Sequence, residues 1–235
     1  MPFGLAGIDR VLEDPKRVDW SNSIRWAKPT NTCEGAAGFA SLRSVFHPIN
    51  MGRIKQFSRV EVLEKAIPLF WEKGFSETTV QDLEAVTGVN KSGLYSEFQN
   101  KEDLFMASLK HYLQTRGGAG ILSVQPLGWT NVQHFLEIGQ TCYTGKRGCF
   151  SVNSMRDVAL LPPEGQEIIA QHNAVLRELL IRNIEAESKR SDSAETADTI
   201  LTFFSGLCIE ENLRPKDAAI NHSIQRFLKL LRQAA

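Results

Sequence analysis

The sequence predicts an all-α protein, with a three-helix N-terminal head that contains a helix-turn-helix and a larger helical domain after it. Three observations carry this. Apolar residues recur at three- and four-residue intervals from Ser58 onward. Helix starts and stops follow one another closely between Thr78 and Phe98. No stretch beyond Gly118 alternates apolar and polar residues as a half-buried strand would.

Residues 1–50 scatter Pro, Gly, Ser and Asn and hold no apolar period. They are expected to form a poorly ordered extension, with Met51 as an alternative start of translation, although Trp20, Trp26, Phe39 and Phe46 are more aromatic than a linker requires. The head is assigned to residues 51–116 and the second domain to residues 117–235.

Within the head, Val62, Leu63, Ala66, Ile67, Phe70 and Trp71 form the stripe of an amphipathic helix that Gly74 is expected to cap. Pro68 lies inside it, removes an amide donor, and predicts a kink or local adjustment. A second helix starts at Thr78 or Thr79, where Gln81 or Asp82 can complete a capping box, turns Leu83 and Val86 inward, and stops at Gly88. After a four-residue turn, Asn90 caps a third helix anchored by Leu94 and Phe98. A longer helix runs from Lys101 toward Gly117-Gly118, with Glu102 and Asp103 at its positive end. Further helices are expected near 131–143, 152–160, 164–187, 194–212 and 216–231.

Bulk properties narrow the function classes. The chain's 27 basic and 27 acidic residues balance, so affinity for nucleic acid must come from a local patch. The four cysteines include no C-x-x-C pair, which argues against a zinc module or a disulfide framework and for a cytoplasmic protein. No membrane span and no export signal are expected. His134, His172 and His222 stand apart from any obvious carboxylate or cysteine partner, so neither an enzyme nor a metal or other cofactor is expected.

The run TTVQDLEAVTGVNKSGLYSEFQNKEDLF, preceded by Phe70-Trp71-Glu72-Lys73-Gly74-Phe75, resembles the DNA-binding signature of the TetR family of transcriptional regulators. Arg147-Gly148-Cys149-Phe150-Ser151-Val152-Asn153 looks like a segment of some members. The resemblance implies a homodimer on double-stranded DNA, most simply a repressor on an inverted repeat, with a helical second domain that binds a small-molecule effector and dimerises.

On that reading Asn90, Lys91, Ser92, Gly93, Ser96 and Glu97 face outward toward the major groove. Lys91 can donate to a guanine edge, Glu97 can accept from cytosine, and close approach of DNA would explain Gly93. The family position implies a phosphate contact for Tyr95, while Thr79 and Lys101 can hold phosphates at helix starts. Arg53 and Lys55, with Arg59, form a basic arm for the flanking backbone. Trp129, Phe135, Cys142 and Phe203 are effector-pocket candidates. Phe203, Phe204, Leu207, Ile224, Phe227 and Leu228, on two unusually apolar helices, are the dimer-interface candidates. The alternative is a redox- or electrophile-sensing regulator, because Cys142 and Cys149 flank the basic pair Lys146-Arg147.

Overall fold

Ser58 opens the first helix, α1 (Arg59–Glu77), by a reciprocal cap: its hydroxyl accepts from the Glu61 amide at 3.1 Å and its own amide donates to the Glu61 carboxylate at 2.9 Å. The computed structural model describes residues 57–140, 142–143, 146–213 and 218–233, so Arg53, Lys55 and the expected N-terminal extension lie outside the described residues. The six apolar residues named for the α1 stripe are all buried.

The break in α1 comes at Gly74 and not at Pro68, which keeps helical dihedrals. Gly74 adopts φ 81°, and an Asp157 carboxylate oxygen lies 2.6 Å from where a Cβ would sit, so only glycine fits both constraints. It kinks the helix without ending it. The last turn continues to Glu77, and the Thr78 hydroxyl donates back to the Gly74 carbonyl at 2.7 Å.

Thr79 and Asp82 cap α2 (Val80–Thr87) with the expected box, and Gly88 ends it in a left-handed conformation at φ 73°. Leu83 is buried, but Val86 is exposed; Thr87 and Val89 are buried in its stead, because the chain turns sharply at Gly88. Only residues 88–90 then separate α2 from α3 (Lys91–Tyr95), one fewer than expected. Asn100 caps α4 (Lys101–Arg116) by accepting from the Asp103 amide at 2.8 Å.

The second domain is helical apart from one feature. Its elements are α5 (Ala119–Leu122), α6 (Trp129–Glu137), a 3-10 turn at Ile138–Gln140, α7 (Phe150–Ser154), a 3-10 stretch at Met155–Leu160, α8 (Pro163–Glu187), α9 (Ser193–Leu213) and α10 (Ala218–Gln233). Between the 3-10 turn and α7, β1 (Cys142–Tyr143) pairs antiparallel with β2 (Lys146–Arg147). Two-residue strands are too short to leave a period in the sequence, so the hairpin cuts short the helix expected to reach Tyr143. No described helix is long and apolar enough to cross a membrane.

The hydrophobic core runs without interruption from the head into the second domain. Phe150, fully buried at the start of α7, stacks on Trp71 of α1 with ring centres 5.9 Å apart. It also meets the rings of Phe105 and Tyr112 of α4 edge-on, at 5.9 and 5.6 Å. Phe70 packs edge-on against Phe105 at 5.2 Å. The head and the second domain are therefore joined by a shared aromatic cluster, and not merely by the backbone at Gly117.

Four of the six dimer candidates are absorbed by the chain's own core. Phe204, Leu207, Ile224 and Leu228 are buried, Phe204 stacks on Phe135 at 4.5 Å, and the half-buried Phe203 and Phe227 stack on each other at 3.8 Å. The surplus apolar residues of α9 and α10 thus serve an intrachain contact between those helices and α6. What α9 leaves exposed is a different stripe, Thr202, Gly206, Ile209 and Leu213, at helical spacing.

One buried and one half-buried polar group tie α8 to the rest. Asn183 is fully buried; its amide donates to the Leu122 and Leu179 carbonyls at 2.7 and 2.8 Å, and its oxygen accepts from the Gly128 amide and the Asn131 side chain. His172 meets the Gly117 carbonyl at 2.8 Å, and burial holds its pKa below the ordinary 6.5 although the Gly117 bond opposes this. The unfolded chain therefore takes up a proton first as pH falls, and stability declines below pH 6.5. The melting temperature is expected to fall between pH 7 and 5, and the His172→Gln protein to show a flatter profile in the same calorimetric series. Equal slopes in the two proteins would contradict this role.

Candidate functional site

The face of the head formed by α3 is built from underneath. Leu94 and Phe98 are buried beneath it, and the Asn90 side chain accepts from the Gly93 amide at 2.8 Å. Glu84 of α2 accepts from the Lys91 amide, which fixes α3 against α2. From the other side, Arg59 donates to the Glu97 carbonyl at 2.5 Å and lays its guanidinium 4.1 Å from the centre of the Phe98 ring. A five-residue helix has little intrinsic stability, so these braces set its orientation.

Lys91, Ser92, Tyr95 and Ser96 are exposed on that helix, as is Asn90 at its cap. The Lys91 ammonium lies 5.7 Å from the Tyr95 ring centre, so the two form one outward cluster. Glu97 is only half-exposed. Gly93 has an internal reason to be glycine: a Cβ there would lie 2.7 Å from Val89 Cγ1 and 3.4 Å from the Phe57 ring. The packing of the turn beneath α3 accounts for it without any approach of DNA.

Two expected phosphate contacts have other occupations. The Lys101 ammonium donates to the carbonyls of Phe75 and Thr78, both at 3.0 Å, with Ser76 at 3.4 Å, and sits 4.5 Å from the centre of the Phe75 ring. It caps the carboxyl end of α1, where a cation is favoured. Thr79 Oγ1 accepts from the Asp82 amide and donates to its carboxylate at 2.8 Å. Lys73 bonds that carboxylate at 2.7 Å, and with the Thr79 bonds it holds Asp82 at a pKa of about 2. Arg59, Glu84 and Lys101 act as braces for α3 and α1. Sequence patterns place such partners poorly, because each bond crosses from one helix to another.

In the second domain a cleft of about 640 Å³ opens between α5, the following loop, α6 and the last turn of α8. Ile121, Val124, Pro126, Leu127 and Ile138 form its apolar wall, and His134, Glu137 and Glu187 bring polar groups to it. Of the expected pocket residues, Trp129, Phe135 and Phe203 do not line it. Trp129 and Phe135 are buried in the core, and Phe203 is stacked on Phe227. The Cys142 side chain is outside the described residues. The sequence signal for this cleft was the Pro126 and Gly128 break between helices, which reads equally well as a plain boundary.

The described thiols are enclosed. Cys149 and Cys208 are both free and buried, Cys149 lies 3.1 Å from the Ser151 hydroxyl, and burial, followed by the nearby Cys149, pushes the Cys208 thiol up. A protonated, enclosed thiol is a poor nucleophile.

Residues 62–107 match the family described as "Bacterial regulatory proteins, tetR family". The chain is 34% identical over 109 residues to the HTH-type transcriptional repressor ComR of Escherichia coli K12, an alignment that takes in 44% of this chain and about half, 52%, of ComR. It is 30% identical over 174 residues to the HTH-type transcriptional regulator YezE of Bacillus subtilis 168, covering 71% of this chain and 74% of YezE. Among solved structures it resembles the TetR family regulator CifR, a cysteine mutant in complex with a 26 bp double-strand operator DNA. That match has a TM-score of 0.65 at 24% identity and covers 76% of this chain and 98% of CifR. The signature, the helix-turn-helix geometry and the likeness to YezE along most of both chains agree: this chain belongs to the TetR family of helix-turn-helix transcriptional regulators.

Proposed function

We propose that the protein is a repressor that binds an inverted-repeat operator as a homodimer in the cytoplasm and is released by a small molecule bound in its second domain. The observation that carries this reading is α3 itself, with Lys91, Ser92, Tyr95 and Ser96 exposed over the buried anchors Leu94 and Phe98. That is the division of faces a groove-reading helix needs. Lys91 and Ser92 meet base edges, and Tyr95 and Ser96 meet the phosphate backbone. ComR's designation as a repressor supports the direction of the effect, and CifR's operator complex supports duplex DNA as the partner.

The homodimer joins through the exposed α9 stripe. Ile209 and Leu213 are 48% and 70% exposed, which is costly for a helix that faces only water. Gly206 between them and Thr202 has open space where a Cβ would point, so another helix can approach closely there. Burial of the described thiols favours a structural role for Cys149 and Cys208 over redox sensing.

Gel shift with duplexes recovered from a random pool tests the reading. A retained complex of two chains per duplex supports it; one chain per duplex, or none retained, contradicts it. Lys101→Ala refines it. Loss of the carbonyl bonds is expected to lower stability by about 2 kcal/mol and to weaken operator binding, with the slope of log K against log salt unchanged. A slope reduced by about one charge would instead return Lys101 to the phosphate backbone.

A further inference from the structure

We infer that the cleft between α5, α6 and the end of α8 is the effector site, and that it selects an amphiphilic organic cation, an amine or quaternary ammonium carried on an apolar body. This rests on the ligand-responsive reading above and names its ligand class.

The chemistry of the walls carries the choice. Of the residues that line the cleft, Ile121, Val124, Pro126, Leu127 and Ile138 offer apolar surface that would take a hydrocarbon or aromatic body out of water. Its charged lining residues are both acidic, Glu137 and Glu187; no lysine or arginine lines it among the described residues. Each carboxylate has one oxygen oriented within the protein. Glu187 Oε1 accepts from the Trp129 amide at 3.0 Å, and Glu137 Oε1 accepts from the Gln133 side chain at 2.8 Å. Neither bond brings a cation, so the negative charge of both groups stays available to a ligand. The backbone amide holds Glu187 against Gly128, where no side chain would fit. An anion would meet two like charges beside an apolar wall, a neutral amphiphile would gain the wall alone, and a cation gains both.

The cleft also sits where occupancy reaches the head. Ile138 and Phe135 press on Gly118, with φ 81°, immediately after the last turn of α4. The same α4 begins at Lys101, the residue that clasps the end of α1. A body wedged against Ile138 therefore acts on the far end of the helix whose first residue clasps the end of α1.

Three probes with one apolar body separate charge from burial: 4-phenylbutyltrimethylammonium, 4-phenylbutanol and 4-phenylbutyrate. They are titrated calorimetrically into the full chain and into the Glu137→Gln/Glu187→Gln protein. The glutamines keep both oxygen acceptors, and circular dichroism checks the fold. The wild type is expected to bind the ammonium about tenfold more tightly than the alcohol and to bind the carboxylate weakest, with the ranking flattened in the double variant. Equal affinities in the wild type, a preference for the carboxylate, no binding of any probe, or a cation preference that survives both substitutions would overturn the proposal. Operator affinity, measured in the same samples, separates the two readings. Cation selectivity without loss of DNA affinity keeps the site and removes its regulatory role, while no DNA binding by the ligand-free protein refutes the repressor reading and leaves the site standing.

Discussion

Placing aspartate at both Ile209 and Leu213 is expected to leave a folded monomer whose operator affinity has fallen by about a thousandfold or more. Both side chains are exposed in the single chain, Ile209 by half and Leu213 more, so the substitutions remove little internal packing, and the melting temperature of a dilute sample should change little. In the proposed dimer the same positions would face a second copy, where four carboxylates without partners cannot be desolvated. Each half-site contact is then made by an independent molecule, and the gain from holding two recognition helices together is lost. Sedimentation velocity with anisotropy on the same preparations checks both parts. A dimer that survives the double substitution would move the interface elsewhere on the molecule. Phe204→Ala is the contrasting case: its ring is stacked on Phe135 inside the chain, so it should destabilise the protein before it alters association.

Phe150→Ala is expected to be the most destabilising single change, at about 3–5 kcal/mol, which corresponds to a fall in melting temperature of roughly 6–20 °C for a chain of this size. The ring is fully buried and touches Trp71, Phe105 and Tyr112, so its removal opens a cavity between α1, α4 and α7 that these large rigid neighbours cannot collapse to fill. The change also cuts the packed connection between the head and the second domain. Effector binding measured below the melting transition should therefore lose much of its influence on DNA affinity, even where each ligand still binds alone. Thermal denaturation followed by a linkage titration tests both statements. A loss under about 1 kcal/mol would show that the cluster has room to repack.

The contrast between these residues explains what could be read from the chain beforehand. Ala66, Ile67 and Phe70, the cap at Thr79, and the anchors Leu94 and Phe98 are governed by local periodicity and capping chemistry, and they fold as the sequence indicates. The partners of those helices are not local. A lysine at a helix start reads as a phosphate ligand until Lys101 is seen holding carbonyls 23 and 26 residues away. Gly93 and Gly74 are recognisable as special positions, but the atom that requires Gly93, Val89 Cγ1, is set by the conformation of the preceding turn, and the one that requires Gly74, the Asp157 carboxylate, becomes a neighbour only through the tertiary fold. The surplus of apolar residues on α9 and α10 was visible, whereas the choice between a partner chain and α6 depends on helix rotation about its axis, which a surplus alone does not specify. The cleft lies where loop, α6 and the end of α8 converge, and no single segment carries its pattern.

The central claim is that the outward side chains of α3 read the operator, and selection from a random duplex pool by the wild type and by Lys91→Ala, side by side, tests it most directly. The account predicts a palindromic consensus for the wild type, with half-sites about 34 Å apart or a multiple of that. It predicts that Lys91→Ala relaxes one symmetric pair of positions and leaves the others, at a cost of about 1–3 kcal/mol per half-site. An unchanged consensus at unchanged strength would place the reading residues outside α3, and the absence of any consensus from the wild type would contradict the account altogether.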